Sequence, residues 1–370
     1  MAYEIGDLPL ALLFPAVAHA EDQLARLDEI VRRSVVGPGF IERAHFHDAT
    51  ASMWVAGELV HVEDLVLHDA ERDVRPPTHD ITIAHSILRA RRRIAGAEAD
   101  WAISQSGLEN LIARASIPPA REVSGEGARA PLAEVTSDEV HDGFADEMAE
   151  IDALLDRSAR TLAAATGKDQ EHKAGSLALG ELIIRDPDWD EGGRLSEWKA
   201  VMQQVAAMPP TLSSAILWDA WETLEPLQRQ HWLGAQLVSS YLRARGKLAS
   251  HLFGLNFGLK VVPRDRRRSR DRTRRLVATL EAMAEGAALG MKEIIRLGQA
   301  RDRLERKLQG KRSSSSLPGV VDLLLTRPIV SSSMITKELR VSHRAALDLI
   351  AELGVREMTG RGSYRAWGIV

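Results

Sequence analysis

His343, Arg344, Leu347 and Asp348 recur at the three- and four-residue intervals that put side chains on one face of a helix, and Ser342 precedes them as an N-cap. An arginine near the start of such a helix carries the planar fork that pairs with O6 and N7 of guanine. The opposite face, Ala346, Ile350 and Leu353, is apolar and is predicted to pack inward. Lys337 and Arg340 precede this helix and Arg361 and Arg365 follow it, so cations suited to phosphates bracket the base-reading residues. The chemistry these types imply is recognition of double-stranded DNA.

Other groups suggest other chemistry and match it less well. His231 has the type of a general base, yet no phosphate-binding loop accompanies it, and a satisfied or exposed histidine is the plainer reading. Trp218, Trp221 and Trp232 have the type of a base-stacking platform, but their helical spacing predicts core packing. Asp186, Asp188, Asp190 and Glu197 fall at positions 1, 3, 5 and 12 of a calcium loop; Glu191 stands where its turn needs glycine, so an acidic loop capping the next helix is expected. His45, His47, Asp48 and His61 are metal-ligand types without a partner at fixed spacing, so no metal and no cofactor is expected. The run 264–275 is the most basic in the chain. Arg266, Arg267 and Arg268 read as an extension of the electrostatic footprint and not as base readers.

These side chains need elements to hold them. Lys311-Arg312-Ser313-Ser314-Ser315-Ser316 followed by Pro318-Gly319 reads as a linker. A short helix over 320–325, stopped at Arg327-Pro328, and a second over 334–339, capped by Ser331 or Ser332, lead through a tight turn to the helix that ends at Gly354. Residues 355–358 and 363–369 then read as two short strands around a Gly-rich turn, with Arg361 at its tip as in a wing. Further back the chain reads as helical, with stretches at 20–33, 80–93 and 212–224 and a long helix or helix pair over 276–308. Ile117-Pro118-Pro119 and 123–127 mark a polar connection. The fold class is therefore mainly α, in three parts: an N-terminal helical region over 1–113, a helical core over 138–310 and a winged helix-turn-helix over 311–370.

From Arg264 onward the chain has 23 Lys and Arg against 12 Asp and Glu, about +11, whereas residues 1–263 have 25 against 40, about −15. The basic end is where a polyanion would bind. There is no cysteine, which excludes disulfides, thiolate nucleophiles and cysteine-ligated zinc and fits a reducing cytoplasm. The apolar stretch 8–20 follows Glu4 and Asp7 and contains Pro9 and Pro15, unlike a secretory signal, and no apolar run reaches bilayer length.

Ala51-Ser52-Met53-Trp54-Val55-Ala56-Gly57 and the following Val62-Glu63-Asp64-Leu65-Val66-Leu67-His68-Asp69-Ala70 resemble the inhibitory segment of the Fic superfamily and the helix behind it. The stretch from Gly286 through Arg301-Asp302-Arg303-Leu304 resembles the closing helices and reader domain of its multidomain members. The region from Asp188 to Leu259, with Trp218-Asp219-Ala220-Trp221, Leu224-Glu225-Pro226-Leu227-Gln228 and His251-Leu252, is similar to a proteobacterial, often plasmid-borne family that pairs a domain of unknown function with a terminal helix-turn-helix. Fic enzymes transfer a nucleotide monophosphate through His-x-Phe-x-Asp/Glu-Gly-Asn-Gly-Arg. The nearest segment, His231-Trp232-Leu233-Gly234-Ala235-Gln236-Leu237, supplies neither the metal carboxylate nor the phosphate-clamping arginine, and Ala56 replaces the inhibitory glutamate beside Gly57. The resemblance thus implies a catalytically inactive Fic-like body on a DNA-binding regulator, the body supplying sensing or pairing into a homodimer. The alternatives are a nucleotidyl transferase with a rearranged loop centred on His231, and a protein-interaction or antitoxin-like module.

Overall fold

A computed structural model describes residues 3–71, 77–115, 189–309, 316–360 and 365–369. In chain order its helices are α1 (Leu10–Arg33), α2 (Gly37–Ala56), α3 (Val62–Asp69), α4 (His79–Gly96), α5 (Gln105–Ala115), α6 (Glu191–Gln204), α7 (Pro210–Leu224), α8 (Leu233–Ala244), α9 (Leu255–Leu259), α10 (Arg264–Arg267) and α11 (Arg272–Leu308). A last set follows: α12 (Leu317–Thr326), β1 (Val330–Ser331), α13 (Ser332–Leu339), α14 (His343–Leu353), β2 (Arg356–Glu357) and β3 (Ala366–Gly368). The expected connection at 117–127, most of the linker, and Asp186 and Asp188 of the acidic loop lie outside the described residues.

The organising element is α11, an unbroken helix of 37 residues where a helix or a helix pair was expected. Asp271 caps it, accepting from the Thr273 amide at 2.8 Å. Its small buried residues Ala282, Gly286, Ala287 and Gly290 let neighbours approach closely. A Cβ at Gly258 of α9 would fall 1.9 Å from the Ala282 carbonyl oxygen, so only glycine fits that crossing. Along the other flank lies α1, burying Leu13, Val17, Ala20, Leu24, Leu27 and Val31. It starts at Leu10, ten residues before the expected stretch, and runs through Pro15, because packing along its whole length outweighs the backbone hydrogen bond that proline removes.

Trp198 and Trp221 are fully buried and meet edge to face, ring centroids 5.5 Å apart. Each indole nitrogen donates to a carbonyl at 2.9 Å, of Leu217 and His231 respectively. Trp218 is buried too and Trp232 half-buried, as the helical spacing predicts.

A second internal feature is ionic. Arg91 of α4 is wholly buried and reaches Asp48 of α2 at 2.6 Å, Gln236 of α8 at 2.7 Å and the carbonyls of Leu252 and Phe253 at 3.1 and 3.2 Å. Asp48 in turn accepts from the Asn256 side chain at 3.2 Å and the Phe257 amide at 3.1 Å. Such a pair is tolerated when most of its lone pairs and protons are matched, and here both terminal nitrogens of Arg91 are engaged while its Nε is left without a partner. Removing either partner would strand a buried charge, so the network fixes how α2, α4, α8 and α9 meet.

The C-terminal set forms helix, strand, helix, helix and two strands, its sheet ordered β1-β3-β2 and antiparallel throughout. Val330 pairs with Trp367, and Arg356 with Gly368. Its first helix, α12, packs on α2 and α11. A Cβ at Gly39 would stand 2.8 Å from the Leu325 carbonyl oxygen, so α2 and α12 cross backbone to backbone.

Candidate nucleic-acid interface

Ser331 caps α13, its hydroxyl accepting from the Met334 amide at 3.2 Å. The helix ends at Arg340, whose φ of +54° is left-handed. That reversal and Val341 bring the chain directly to Ser342, whose hydroxyl accepts from the Ala345 amide at 3.2 Å and starts α14. Ala346, Ile350 and Leu353 are buried against the rest of the segment, as their spacing predicts. Gly354 closes α14 at φ +55°, a conformation glycine adopts without cost.

His343, Arg344 and Asp348 are exposed. Leu347 is not an outward residue: it is half-buried and packs on the apolar core, since a helical side chain leans back over the preceding turn. The first turn of α14 carries no acidic side chain. Its unpaired amides and the exposed Arg340 and Arg344 therefore give one end of the helix a positive field, which an anion would relieve. Lys337 is exposed and stands 3.7 Å from Glu71. Arg365 is exposed, pairs with Glu357 of the hairpin at 2.8 Å and lies over the Trp367 ring. Arg361 lies outside the described residues.

The arginine run is divided between structural contacts and the surface, with Arg264, Arg268, Arg270 and Arg274 exposed. Arg266 pairs with Glu281 at 2.6 Å, and Arg267 donates to the Val262 carbonyl at 2.9 Å and lies over Trp54. Arg272 and Arg275 converge on the buried Asp219, at 3.4 and 2.6 Å. Of the expected basic extension only Arg268 is exposed. The contacts of Arg272 and Arg275 were not legible locally, because Asp219 lies more than forty residues before the run.

Cations that sequence reasoning passed over stand nearer. Lys307, near the end of α11, donates to the Leu353 carbonyl at 2.5 Å, satisfying a C-terminal acceptor of α14 and opposing its dipole. Beside it a cleft of about 510 Å³ is lined by Arg303, Arg306, Lys307 and Arg356. Arg303, Arg306 and Arg356 are exposed and have no ion pair among the described residues. The only signal for them in the sequence is the overall basic excess after Arg264.

The remaining candidates resolve into structure. His231 is half-exposed, its ring 2.6 Å from Glu222. Gly234, the one glycine of the Fic-like segment, faces the Trp221 ring, where a Cβ would fall 2.3 Å away. Asp190 caps α6 through the Gly193 amide at 2.8 Å, the role expected of the acidic loop. Asp48 is held by Arg91, and no group of three or more His, Asp or Glu side chains that could hold a metal occurs among the described residues.

Two family models match this chain. Residues 183–309 match one described as Protein of unknown function (DUF1612), and residues 317–370 match one described as HTH DNA binding domain. The chain is also 42% identical over 380 residues to the Uncharacterized protein y4cF of Sinorhizobium fredii (strain NBRC 101917 / NGR234), with all of both chains covered. No helix of the described residues is long and apolar enough to cross a membrane.

Proposed function

The chain belongs to the family of that Sinorhizobium relative, with a DUF1612 region followed by a C-terminal helix-turn-helix DNA-binding domain, and from this premise we propose that it is a DNA-binding transcriptional regulator of the cytoplasm. The observation that carries the reading is α14: capped, free of acids in its first turn, apolar inward and presenting His343, Arg344 and Asp348 outward. In this reading α14 enters the major groove, the hairpin acts as a wing, and the cleft of Arg303, Arg306 and Arg356 meets the backbone. Two copies read a two-fold site; the exposed Leu10 and Phe14, one helical turn apart at the start of α1, offer an apolar face for pairing.

The helical body is, in the same reading, a Fic-like scaffold without nucleotide turnover. No segment carries the transferase motif, and at the nearest one His231 and Gly234 serve local packing. Transfer chemistry centred on His231 therefore has less support than DNA binding.

The test is genome-wide recovery of bound DNA, followed by titration of the recovered duplex and a scrambled one at several salt concentrations. Specific binding that weakens about a thousandfold or more between 50 and 200 mM salt is expected for six or more phosphate contacts. Equal, weak binding to both duplexes would overturn the proposal. Point variants serve better than removal of 311–370, because α12 contributes Val320, Val321 and Leu324 to the common core and its loss would expose α2 and α11.

A further inference from the structure

Between the helix-turn-helix segment and the body lies a cavity of about 490 Å³. Leu27, Phe40, Phe253 and Leu289 line it from the body, and Ile329 and Met358 from the C-terminal segment. Gly290 keeps its floor low: a Cβ there would press on Leu27 and Phe40 at 3.0 and 3.2 Å. A mostly apolar hollow of this size with a few convergent polar groups is the usual form of a small-molecule site.

The polar groups are specific. Glu293 of α11 accepts from Arg43 at 3.1 Å and from Arg296 at 2.6 Å. Both arginines also grip the DNA-binding segment. Arg43 donates to the carbonyls of Leu324 and Arg327, at the end of α12, and Arg296 to the Ile369 carbonyl at 2.7 Å, beyond β3. His47 faces the cavity with no hydrogen-bond partner for its ring among the described residues. Burial, reinforced by Arg43, brings its pKa down to about 4, so at neutral pH the ring offers one donor and one acceptor. Lys292, one helical turn before Arg296, lines the same cavity, is exposed and has no ion pair among the described residues.

We infer that this cavity is an effector site for an organic acid with an apolar body, and that its occupancy alters how the helix-turn-helix segment is held. The apolar part fills the space between Phe40, Phe253 and Ile329. The carboxylate pairs with Lys292 and competes with Glu293 for Arg296, while His47 supplies a neutral hydrogen bond. Because Arg296 and Arg43 tie the ends of the DNA-binding segment to the body, a rival anion redistributes those ties, which is a physical route from ligand to DNA. The ligand site stands without the regulator reading; only the coupling rests on it.

The experiment uses the full chain and three probes: 1-naphthaleneacetate, decanoate and the neutral 1-naphthaleneacetamide. Calorimetric titration and thermal unfolding, both without DNA, should show binding of at least one acid and a rising midpoint with its concentration, with the amide weaker than its acid. Lys292→Gln should weaken the acid several-fold and leave the amide unchanged. Met358→Trp, which blocks the mouth from an exposed position, should abolish both. Failure of all three probes, or acid binding untouched by both variants, overturns the site. With the site established, the acid should change affinity for the recovered duplex by about 5- to 150-fold. Unchanged DNA affinity overturns the coupling, whereas absence of DNA binding in every condition overturns the regulator reading and leaves the ligand result intact.

Discussion

Arg344 is the second residue of α14, exposed, and turned away from the buried Ala346, Ile350 and Leu353. A bidentate contact from such a position to guanine is worth about 1–3 kcal/mol of discrimination. Arg344→Ala should therefore lower affinity for the recovered duplex by roughly five- to a hundredfold, with a smaller effect on a scrambled duplex and an unchanged melting temperature. Paired titrations of wild type and variant measure both effects. An equal loss on the two duplexes would make Arg344 a phosphate clamp and move base reading to His343 and Asp348. Leu347 is not part of that fallback, because its half-buried side chain is committed to the core.

At the scale of elements, the turn between α13 and α14 depends on Arg340 in the left-handed region, where a side chain costs about 1–2 kcal/mol relative to glycine. In the proposed DNA-binding reading, a cation held there against conformational preference, and without an ion pair among the described residues, is placed for a phosphate. Arg340→Gly should raise stability to denaturant by about 1 kcal/mol while weakening binding to all duplexes by a similar factor. Loss of stability would show instead that the arginine braces the turn. The elements legible in the sequence were those with local causes: α14 between its Ser342 cap and Gly354, α13 from its Ser331 cap, and the strands around the Gly-rich turn. Two-residue β1 was not legible, because its existence depends on pairing with Trp367 and Ala366, more than thirty residues away. The Arg91–Asp48 pair and the capture of Arg275 by Asp219 were hidden for the same reason, being 43 and 56 residues apart. The same distance hid the cavity, whose walls come from α1, α2, α3, α9, α11, the segment before α9 and the residues that flank the terminal strands.

At the scale of the whole molecule, burial of histidine makes stability depend on pH where the body meets the DNA-binding segment. His251 is 5% exposed, its Nδ1 2.9 Å from the Ser250 hydroxyl and 3.9 Å from Asp28. Burial lowers its pKa to about 4; Asp28 opposes that shift and Arg91 adds to it. His47, on the other side of the cavity, is brought down to about 4 by burial and by Arg43. In the unfolded chain both return to about 6.5, so between pH 6.5 and 4 the unfolded state holds the protons and the native state does not. Stability is thus complete above about pH 6.5 and falls as pH drops toward 4, by up to about 1.4 kcal/mol per pH unit for each histidine. For His251 the whole span is of the order of 3 kcal/mol, a large share of the 5–15 kcal/mol typical of a folded protein. Carboxylates held low by cations, such as Glu293 by Arg296 and Arg43, lose their contribution only at lower pH, which separates the two phases. Urea unfolding at pH 7.5, 6.5, 5.5 and 4.5 should show the first phase in the wild type. His251→Gln, which keeps a hydrogen-bonding side chain and removes the titration, should flatten it by about one histidine's share. Parallel stability curves for the two proteins would mean that His251 is not protonated on unfolding across this range, and that the acid sensitivity belongs to the carboxylates.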